Sequence, residues 1–338
     1  MIKQIGRATI GFESAVPICS FASVAGKKEA EGPLGANFDY VDTDPFFGEK
    51  TWEKAESTIQ KQAVQLALEK ENLTPEQINC VFAGDLLNQC IASSFGLRDF
   101  GIPLLGLYGA CSTMAESLCL ASIFVAGGAA KCCAAVASSH FCTAERQFRL
   151  PLAYGGQRTP TAQWTATAGG CVIVGGAPKH CNVRHVSIGK IVDLGITDAN
   201  KMGAAMAPAA ASTICQFLQD TSTTARDYDL ILTGDLGYVG SDLLLELTKG
   251  EGYNISAVHN DCGKMLYYRK GQDVHSGGSG CGCSAGVLTS TILPAVNRGQ
   301  YHNVLFVATG ALLSPTSTAQ GESVPGIAHL VHLQYKEK

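Results

Sequence analysis

The chain carries little charge for its length and has no long basic run. Of its 338 residues, 16% are charged, and the formal net charge at pH 7 is −4. Proteins that bind nucleic acids depend on clustered Lys and Arg to neutralise phosphates, so this composition predicts no nucleic-acid partner. Hydrophobic residues make up 46% of the chain, which suits a well-buried globular fold and excludes a disordered protein.

Long apolar runs are missing as well. The longest, 118–130, is well short of the ~20 residues that a membrane-spanning helix needs. Near the N-terminus, Gly11, Glu13 and Pro17 interrupt any apolar core of a signal peptide. We therefore predict a soluble, intracellular protein with no signal peptide and no transmembrane helix, which can still reach a membrane through partners.

The sequence has 14 cysteines but no Cys-x-x-Cys pair. Cys281 and Cys283 have the wrong spacing for a zinc knuckle, and the run 259–262 matches no known arrangement of metal ligands. Most of the other cysteines lie inside apolar runs, where a thiol behaves as a small hydrophobic group. The pattern predicts reduced, structural thiols and no metal site.

One order of segments occurs twice, about half a chain apart. The first copy has an apolar run at 102–107, the turn 109–113, a helical run at 114–126 and an apolar run at 132–137. The second copy has the turn 280–285, a helical run at 287–296 and an apolar run at 304–309. This repetition indicates a duplicated unit, and the alternation of strands and helices predicts an α/β layer in each half.

The remaining segments complete the predicted organisation. We expect halves at 1–180 and 181–338. Residues 1–48 are rich in glycine and turn signals and predict loops, whereas 51–70 has the spacing of an amphipathic helix. Short strands are predicted at 79–83 and 170–175, a long irregular connection at 138–170, and a cap segment at 193–224 with one helix at 207–219.

Cys111 lies at the strand-to-helix turn of the first copy, and three interpretations stay open. A helix N-terminus lowers a thiol pKa, so Cys111 suits a nucleophile. The same N-terminus offers amide groups to a carboxylate, which suits a binding pocket that does not react. The third interpretation is that Cys111 is simply a small residue that fills a tight turn.

The two copies resemble the thiolase superfamily over essentially the whole chain. The resemblance implies an α/β fold of two duplicated βαβαβαββ halves, packed as a five-layered αβαβα sandwich, with Cys111 at the nucleophile position. Ketoacyl synthases of this superfamily draw a His from the loop after the second copy's first strand. They draw a His or Asn from the turn before its buried helix. Here those positions fall in 233–237 and 280–283, which contain neither residue. No Gly-His-Pro of the thiolase type occurs in the second half.

A narrower resemblance rests on seven segments: 31–35, 83–89, 109–112, 138–140, 143–148, 187–195 and 308–315. Together they resemble the stage V sporulation protein AD family. This implies a non-catalytic protein that binds dipicolinic acid (pyridine-2,6-dicarboxylate) in the system that loads dipicolinate and Ca²⁺ into the forespore. The alternative is an acyltransferase of the thiolase or ketoacyl-synthase type that uses Cys111.

The resemblance also implies partners. These are the other membrane proteins of the stage V sporulation A system, at the cytoplasmic side of the spore inner membrane, and a second copy of the chain. The strand 132–138 is expected to pair across the homodimer. No cofactor is predicted, although Ca²⁺ can accompany the ligand.

Dipicolinate is a flat dianion, so the site should contain groups that bind two carboxylates. The amides and hydroxyls of Ser112 and Thr113 suit one carboxylate, and Arg146 or Arg149 suits the other. Asp85 and Asp235 occupy matching places in the two copies. Each can be protonated, hold an arginine, bind a bridging cation, or simply cap the following helix. The remaining predicted site residues are His140, as a hydrogen-bond donor, with Asn88, Glu145 and Cys281.

Overall fold

A computed structural model of the protein describes residues 2–148 and 158–337. Its strands are β1 Ile2–Ile5, β2 Thr9–Gly26, β3 Tyr40–Asp42, β4 Cys80–Gly84, β5 Leu104–Gly106, β6 Cys132–Ser139, β7 Trp164–Thr165, β8 Ala168–Gly175, β9 Cys181–Ser187, β10 Leu230–Thr233, β11 His259–Asp261, β12 Gly278–Ser279, β13 Asn303–Ala311 and β14 Gly326–Tyr335.

The helices of the described residues are α1 Lys27–Ala30, α2 Trp52–Glu69, α3 Ile91–Leu97, α4 Thr113–Ala126, α5 Phe141–Phe148, α6 Met202–Thr221, α7 Gly237–Gly250, α8 Cys262–Met265, α9 Cys281–Val287, α10 Leu293–Asn297 and α11 Pro315–Ala319. A π-helical segment, Leu288–Ile292, joins α9 to α10. Among residues 2–148 and 158–337, no helix is both long enough and apolar enough to cross a bilayer.

The strand pairing shows the duplication directly. The large sheet has the order β11–β10–β13–β14–β9–β2–β8–β6–β4–β5, with β1 and β3 added to β2. From β2 outward, β8 and β6 each pair antiparallel with the strand before them, and β4 and β5 continue in parallel. From β9 outward, β14, β13, β10 and β11 repeat the same directions. The repeat predicted from the sequence is therefore a structural one.

The helices form layers on both faces of this sheet. On one outer face α2 packs against β2, β8 and β6 through Ala55, Ile59 and Ala63, and on the other α6 packs against β14 and β13. Between the two halves lie α4, which contacts strands of both, and α9, which packs on β8 and β6. The result is the predicted αβαβα arrangement, whose central helices are apolar all round because they are covered on every side.

The prediction of loops over residues 1–48 is wrong for 2–30, whereas 31–48 consists mainly of turns, as expected. An 18-residue strand, β2, runs from Thr9 to Gly26 and pairs first with β9 and then with β8. Its register shifts between Gly11 and Val16 and again between Ile18 and Ser20. Glycine and proline are tolerated where a strand bends or changes partner, so the turn-like composition reflects a strand that bridges the two halves.

Two other predicted segments have more helix than expected. The connection predicted as irregular, 138–170, contains α5, although 149–157 lies outside the described residues. The helix predicted at 207–219 runs from Met202 to Thr221 in spite of Pro208, and it forms an outer layer rather than a cap. Burial of its alanine-rich face against β14 and β13 outweighs the backbone hydrogen bond that Pro208 removes.

The strand predicted to pair across a homodimer is an interior strand. β6 lies between β4 and β8, with Cys133 opposite Cys80 on one side and Val174 on the other. An apolar run shows that a strand is covered on both faces, but it does not reveal the strand's place in the sheet. In the described sheet, the terminal strands are β5 and β11.

Close packing of α9 on the sheet depends on Gly282. A Cβ added there would lie 2.6 Å from Ser139 Oγ and 2.7 Å from Ser139 N, and closer still to the Ala168 carbonyl oxygen. We expect Gly282→Ala to lower the free energy of unfolding by about 2–3 kcal/mol, measured by urea unfolding, because buried backbone must move apart. Gly250→Ala is the control, because nothing lies within 4 Å of the added methyl group. Equal stability of the two variants would contradict this packing.

Candidate functional site

The site forms where the carboxyl ends of β4 and β10 meet the starts of the two central helices. Cys111 lies in a single 3₁₀ turn, Ala110–Ser112, that leads into α4. Ala110 adopts a left-handed conformation with φ of 51°. Gly310 of β13 passes so close that a Cβ there would collide with the Gly109 carbonyl oxygen. The second half of the chain therefore holds the turn that presents Cys111.

The carboxylate of Asp235, in the loop after β10, lies beside the Cys111 thiol, and its charge and hydrogen bonding both raise the pKa of that thiol. The same carboxylate accepts hydrogen bonds from Thr309 Oγ1 at 2.8 Å, the Gly280 amide at 2.9 Å and Ser279 Oγ at 3.1 Å. Asp235 is fully buried, and two segments of the second half, 279–280 and β13, converge on its carboxylate.

These contacts keep the thiol protonated. Burial raises the pKa of Cys111 well above its usual value, and the charge of Asp235 raises it further. Burial also raises the pKa of Asp235, to about 6, against the hydrogen bonds that lower it. A thiol whose pKa lies well above its usual value does not readily give its proton to a carboxylate whose pKa is about 6. Asp235 is therefore a poor base for making a thiolate.

Imidazole is not the partner of the sulfur. All eight histidines of the sequence lie in the described residues, and none is hydrogen-bonded to Cys111. His259, which is close in sequence to the second-copy turn, bonds to Thr233 Oγ1 at 3.0 Å instead.

A second buried acid lies in the matching place of the first half. Asp85 accepts hydrogen bonds from the Leu87 amide at 2.9 Å, the Ser93 amide at 2.8 Å and Ser93 Oγ at 2.6 Å. These bonds cap α3, which is the helix-capping interpretation left open by the sequence. Burial raises the pKa of Asp85, and its charge helps burial to raise the pKa of nearby Glu56.

Glu56 extends this buried polar network towards Cys281. Its carboxylate accepts hydrogen bonds from Thr143 Oγ1 at 2.7 Å and Ser138 Oγ at 3.3 Å. The Cys281 thiol donates to the Ser138 carbonyl oxygen at 2.8 Å. The pKa of Cys281 is raised, first by burial and then by the nearby Cys111. Cys281 is therefore a protonated thiol next to the site.

Ser112 and Thr113 do not offer the groups predicted for a carboxylate. The Ser112 amide donates to the Gly109 carbonyl oxygen at 3.1 Å, and the Thr113 amide donates to that of Ala110. Their hydroxyls donate to the same two oxygens, at 2.6 and 2.7 Å. A tight turn satisfies its own donors, so these groups stabilise the turn and are not free for a ligand.

Three other predicted site residues have structural partners. His140 donates from Nε2 to the Pro45 carbonyl oxygen at 2.8 Å and accepts the Cys142 amide at Nδ1, so neither nitrogen is available. Arg146 forms an ion pair with Glu53 on an exposed surface. Asn88 is also exposed and bonds to Gln147 of α5 through its amide and its side chain.

Glu145 and Arg149 are the last two residues predicted for the site. Glu145 is half-buried on α5 and has an interaction partner. Arg149 lies outside the described residues.

Four residues of the site were not predicted from the sequence: Ser279, Thr309, Glu56 and Tyr108. Burial raises the pKa of the Tyr108 hydroxyl, with Cys111 as the next cause, so this partly exposed ring borders the site. Thr309 stands in the segment 308–315, and Ser279 directly precedes the turn 280–285, so both lie beside patterns that the sequence displays. No local pattern marks Glu56.

The described residues contain no group of three or more His, Cys, Asp or Glu side chains placed to hold a metal ion. Asp261, in the run 259–262, instead accepts the Leu236 and Gly237 amides, each at 2.9 Å, at the start of α7.

Comparisons with known structures agree with the fold. The chain is similar to 3-oxoacyl-[acyl-carrier-protein] synthase III from Aquifex aeolicus, with a TM-score of 0.58, 12% identity, and coverage of 95% of this chain and 100% of that one. It is also similar to a cerulenin-bound variant of OleA from Xanthomonas campestris, with a TM-score of 0.60, 11% identity, and coverage of 96% and 98%. At these identities the likeness establishes the thiolase-like fold alone.

Comparisons of sequence are more specific. The pattern that defines the stage V sporulation protein AD family matches residues 6–334. The chain is 47% identical over 328 residues to stage V sporulation protein AD of Bacillus subtilis (strain 168), covering 97% of each protein. The chain therefore belongs to the stage V sporulation protein AD family, a sporulation family with a thiolase-like fold.

Proposed function

We propose that the chain binds dipicolinate at the Cys111 site without acyl transfer, as part of the system that loads dipicolinate and Ca²⁺ into the forespore. The observation that carries this proposal is the partner of the thiol. The Cys111 thiol lies beside a buried carboxylate, Asp235, where an acyltransferase needs a base that removes the thiol proton. A protonated, buried thiol retains the shape of a catalytic site but lacks its nucleophile.

The charge of the site suggests how a dianion would enter. Asp235, Asp85 and Glu56 are fully buried, and their hydrogen-bond partners are hydroxyl, amide and thiol groups rather than Lys or Arg. Two carboxylates are repelled by ionised acids nearby. Dipicolinate should therefore bind either as its Ca²⁺ chelate or together with protons taken up by these acids.

The family membership supports two further proposals. The protein acts at the cytoplasmic side of the forespore or spore inner membrane, attached through other membrane proteins of the stage V sporulation A system. It forms a homodimer through the exposed edge strand β5, where Leu104 and Leu105 are 37% and 44% exposed. An apolar strand at a sheet edge is a ready template for pairing with a second copy.

Titration calorimetry tests the binding proposal. Dipicolinate should bind, with and without Ca²⁺, and pyridine-2-carboxylate should bind much more weakly because it lacks the second carboxylate. Cys111→Ala should weaken binding by less than about tenfold, since one neutral thiol contact is lost. Absence of binding to wild-type protein in both conditions would refute the proposal.

Intact-mass analysis tests the rival acyltransferase. Incubation with acyl-CoA should leave the mass unchanged, and iodoacetamide should modify Cys111 slowly, because the thiol is protonated and only 6% exposed. An acyl adduct on Cys111 that disappears in Cys111→Ala would favour the enzyme instead.

A further inference from the structure

Five cationic side chains gather on one surface of a protein whose net charge is −4. We call them the basic surface: Lys28, Arg158, Lys264, Arg269 and Lys270. Arg269 and Lys270 line a cavity of about 460 Å³ together with Gly271, Asp273 and His275, and Arg158 is joined to it by an ion pair with Asp273. No part of the Cys111 chemistry uses these residues.

One half of the basic surface is built on Trp164. This ring stacks on Phe141 at 3.7 Å, and Lys28 Nζ lies 3.5 Å from the Trp164 ring centre. The Arg158 guanidinium lies 4.8 Å from the same centre. Two like charges therefore share one aromatic ring, and the pKa of Lys28 is lowered by burial and then by Arg158. Such a pair is stabilised by an anion placed between them.

Arg158 is largely buried, with its side chain 16% exposed, and it is held by Asp273. Its Nη2 donates to the Asp273 carbonyl oxygen and to Asp273 Oδ2, each at 2.7 Å. Its Nη1 is buried and has no hydrogen-bond partner among the described residues. Asp273 Oδ1 also lies 2.9 Å from His275 Nε2, so this carboxylate is shared between Arg158 and His275.

The other half of the basic surface is built on Tyr238. The Arg269 guanidinium lies 4.0 Å from its ring centre, and Lys264 Nζ lies 5.8 Å from it. Lys270 follows Arg269 and is exposed, and Tyr268 before it is 54% exposed. Cations held flat against aromatic rings keep their charge facing outward at little entropic cost.

We propose that the basic surface binds the phosphate groups of an anionic lipid bilayer directly. The charges are spread over an open surface rather than converging on one point, which suits many headgroups better than a single soluble phosphate. An exposed tyrosine beside Arg269 and Lys270 suits the boundary between headgroups and water. The inference builds on the membrane location proposed above, but it does not depend on a ligand at Cys111.

Vesicle flotation of the full chain is the test. The protein should float with phosphatidylglycerol vesicles but not with phosphatidylcholine vesicles, and binding should fall as salt rises. Arg269→Gln with Lys270→Gln should weaken vesicle binding about 25-fold, at roughly fivefold for each charge removed. The matched control is Arg226→Gln with Lys249→Gln, which removes two exposed charges elsewhere and should change binding little.

The other outcomes contradict the proposal. Failure to float with phosphatidylglycerol, or equal loss in both double variants, would overturn it. Thermal stabilisation by pyrophosphate without vesicle binding would show a soluble-anion site instead. Binding to polyglutamate but not to vesicles would show a surface for an acidic protein segment. Dipicolinate calorimetry on Arg269→Gln with Lys270→Gln should match wild type, so failure of this inference is distinguishable from failure of the binding function.

Discussion

Replacing Asp235 by alanine is expected to lower the free energy of unfolding by about 4 kcal/mol, the largest single effect at the site. Three donors that bond to this carboxylate, Thr309 Oγ1, the Gly280 amide and Ser279 Oγ, would be left buried without an acceptor. Each orphaned buried donor costs about 1–3 kcal/mol. Urea unfolding of Asp235→Ala measures the loss.

Glu116→Ala is the matched control for this prediction. Glu116 lies at the start of α4, and its Oε2 is buried with no hydrogen-bond partner among the described residues. Removing an acid that orphans no donor should change stability little or raise it. If the two alanine variants lose the same stability, the hydrogen bonds to Asp235 are not what holds this part of the site.

The Asp235→Asn variant keeps the shape of the side chain but removes its charge, so it isolates the effect of that charge on stability. The folded-state pKa of Asp235 is about 6, whereas an aspartate in an unfolded chain has a pKa of 3.8. A raised carboxyl pKa contributes stability below pH ~3.8 that is lost as the pH rises through about 6. The advantage of wild type over Asp235→Asn should therefore shrink by about 2 kcal/mol between about pH 4.5 and about pH 7.5. A constant difference would mean that Asp235 is ionised throughout.

Acid is expected to destabilise the second half of the sheet through a buried histidine pair. His185 Nδ1 and His332 Nδ1 lie 3.0 Å apart, and the rings stack at 5.2 Å. Burial lowers the pKa of His185 to about 4 and that of His332 to about 3, and the nearby Arg184 contributes to both. The unfolded chain therefore takes up protons at a pH where the folded chain does not.

Because these pKa values are lowered in the folded chain, the free energy of unfolding decreases as the pH falls. The stability contribution of His332 is complete above pH ~6.5 and is lost as the pH falls, by about 2 kcal/mol at about pH 5. The stability difference between wild type and His332→Gln should shrink by that amount between about pH 7.5 and about pH 5. Buried acids such as Asp235 and Asp261 change stability in the opposite direction, so the comparison with the variant is the informative one.

The control for the histidine pair is a change of pH in the alkaline range. Between about pH 7.5 and about pH 9, the wild type and His332→Gln should keep a constant difference, because His332 is already neutral in both the folded and the unfolded chain. A difference that changes there, or that does not change in acid, would show that His332 does not titrate as its burial implies.

Much of the fold could be predicted because it depends on patterns that repeat along the chain. The apolar run of β6, the turn before α4 and their second-half counterparts reveal a duplicated α/β unit, and strand pairing confirms it. Periodicity failed at β2, where glycine and Pro17 belong to a strand that bends between the two halves. It also failed for the position of β6 in the sheet, since burial on both faces does not reveal which strands lie next to it.

The candidate site, like the fold, could be predicted only in part from the sequence. Cys111 could be recognised from the residues around it, and so could the lack of a His or Asn in the two second-half segments. Arg146 and His140 could not be excluded in advance, because their ion pair with Glu53 and bond to Pro45 join residues far apart in sequence.

By itself, the sequence determined a duplicated thiolase-like chain with a cysteine at a helix start and no imidazole in the usual places. Only the tertiary structure decided the surroundings of that cysteine: its thiol is buried beside Asp235, a carboxylate 124 positions later in the chain. The reason is physical. The pKa of a thiol depends on burial and on the charges within a few ångströms, and those are set by how the two halves pack together rather than by the residues next to it.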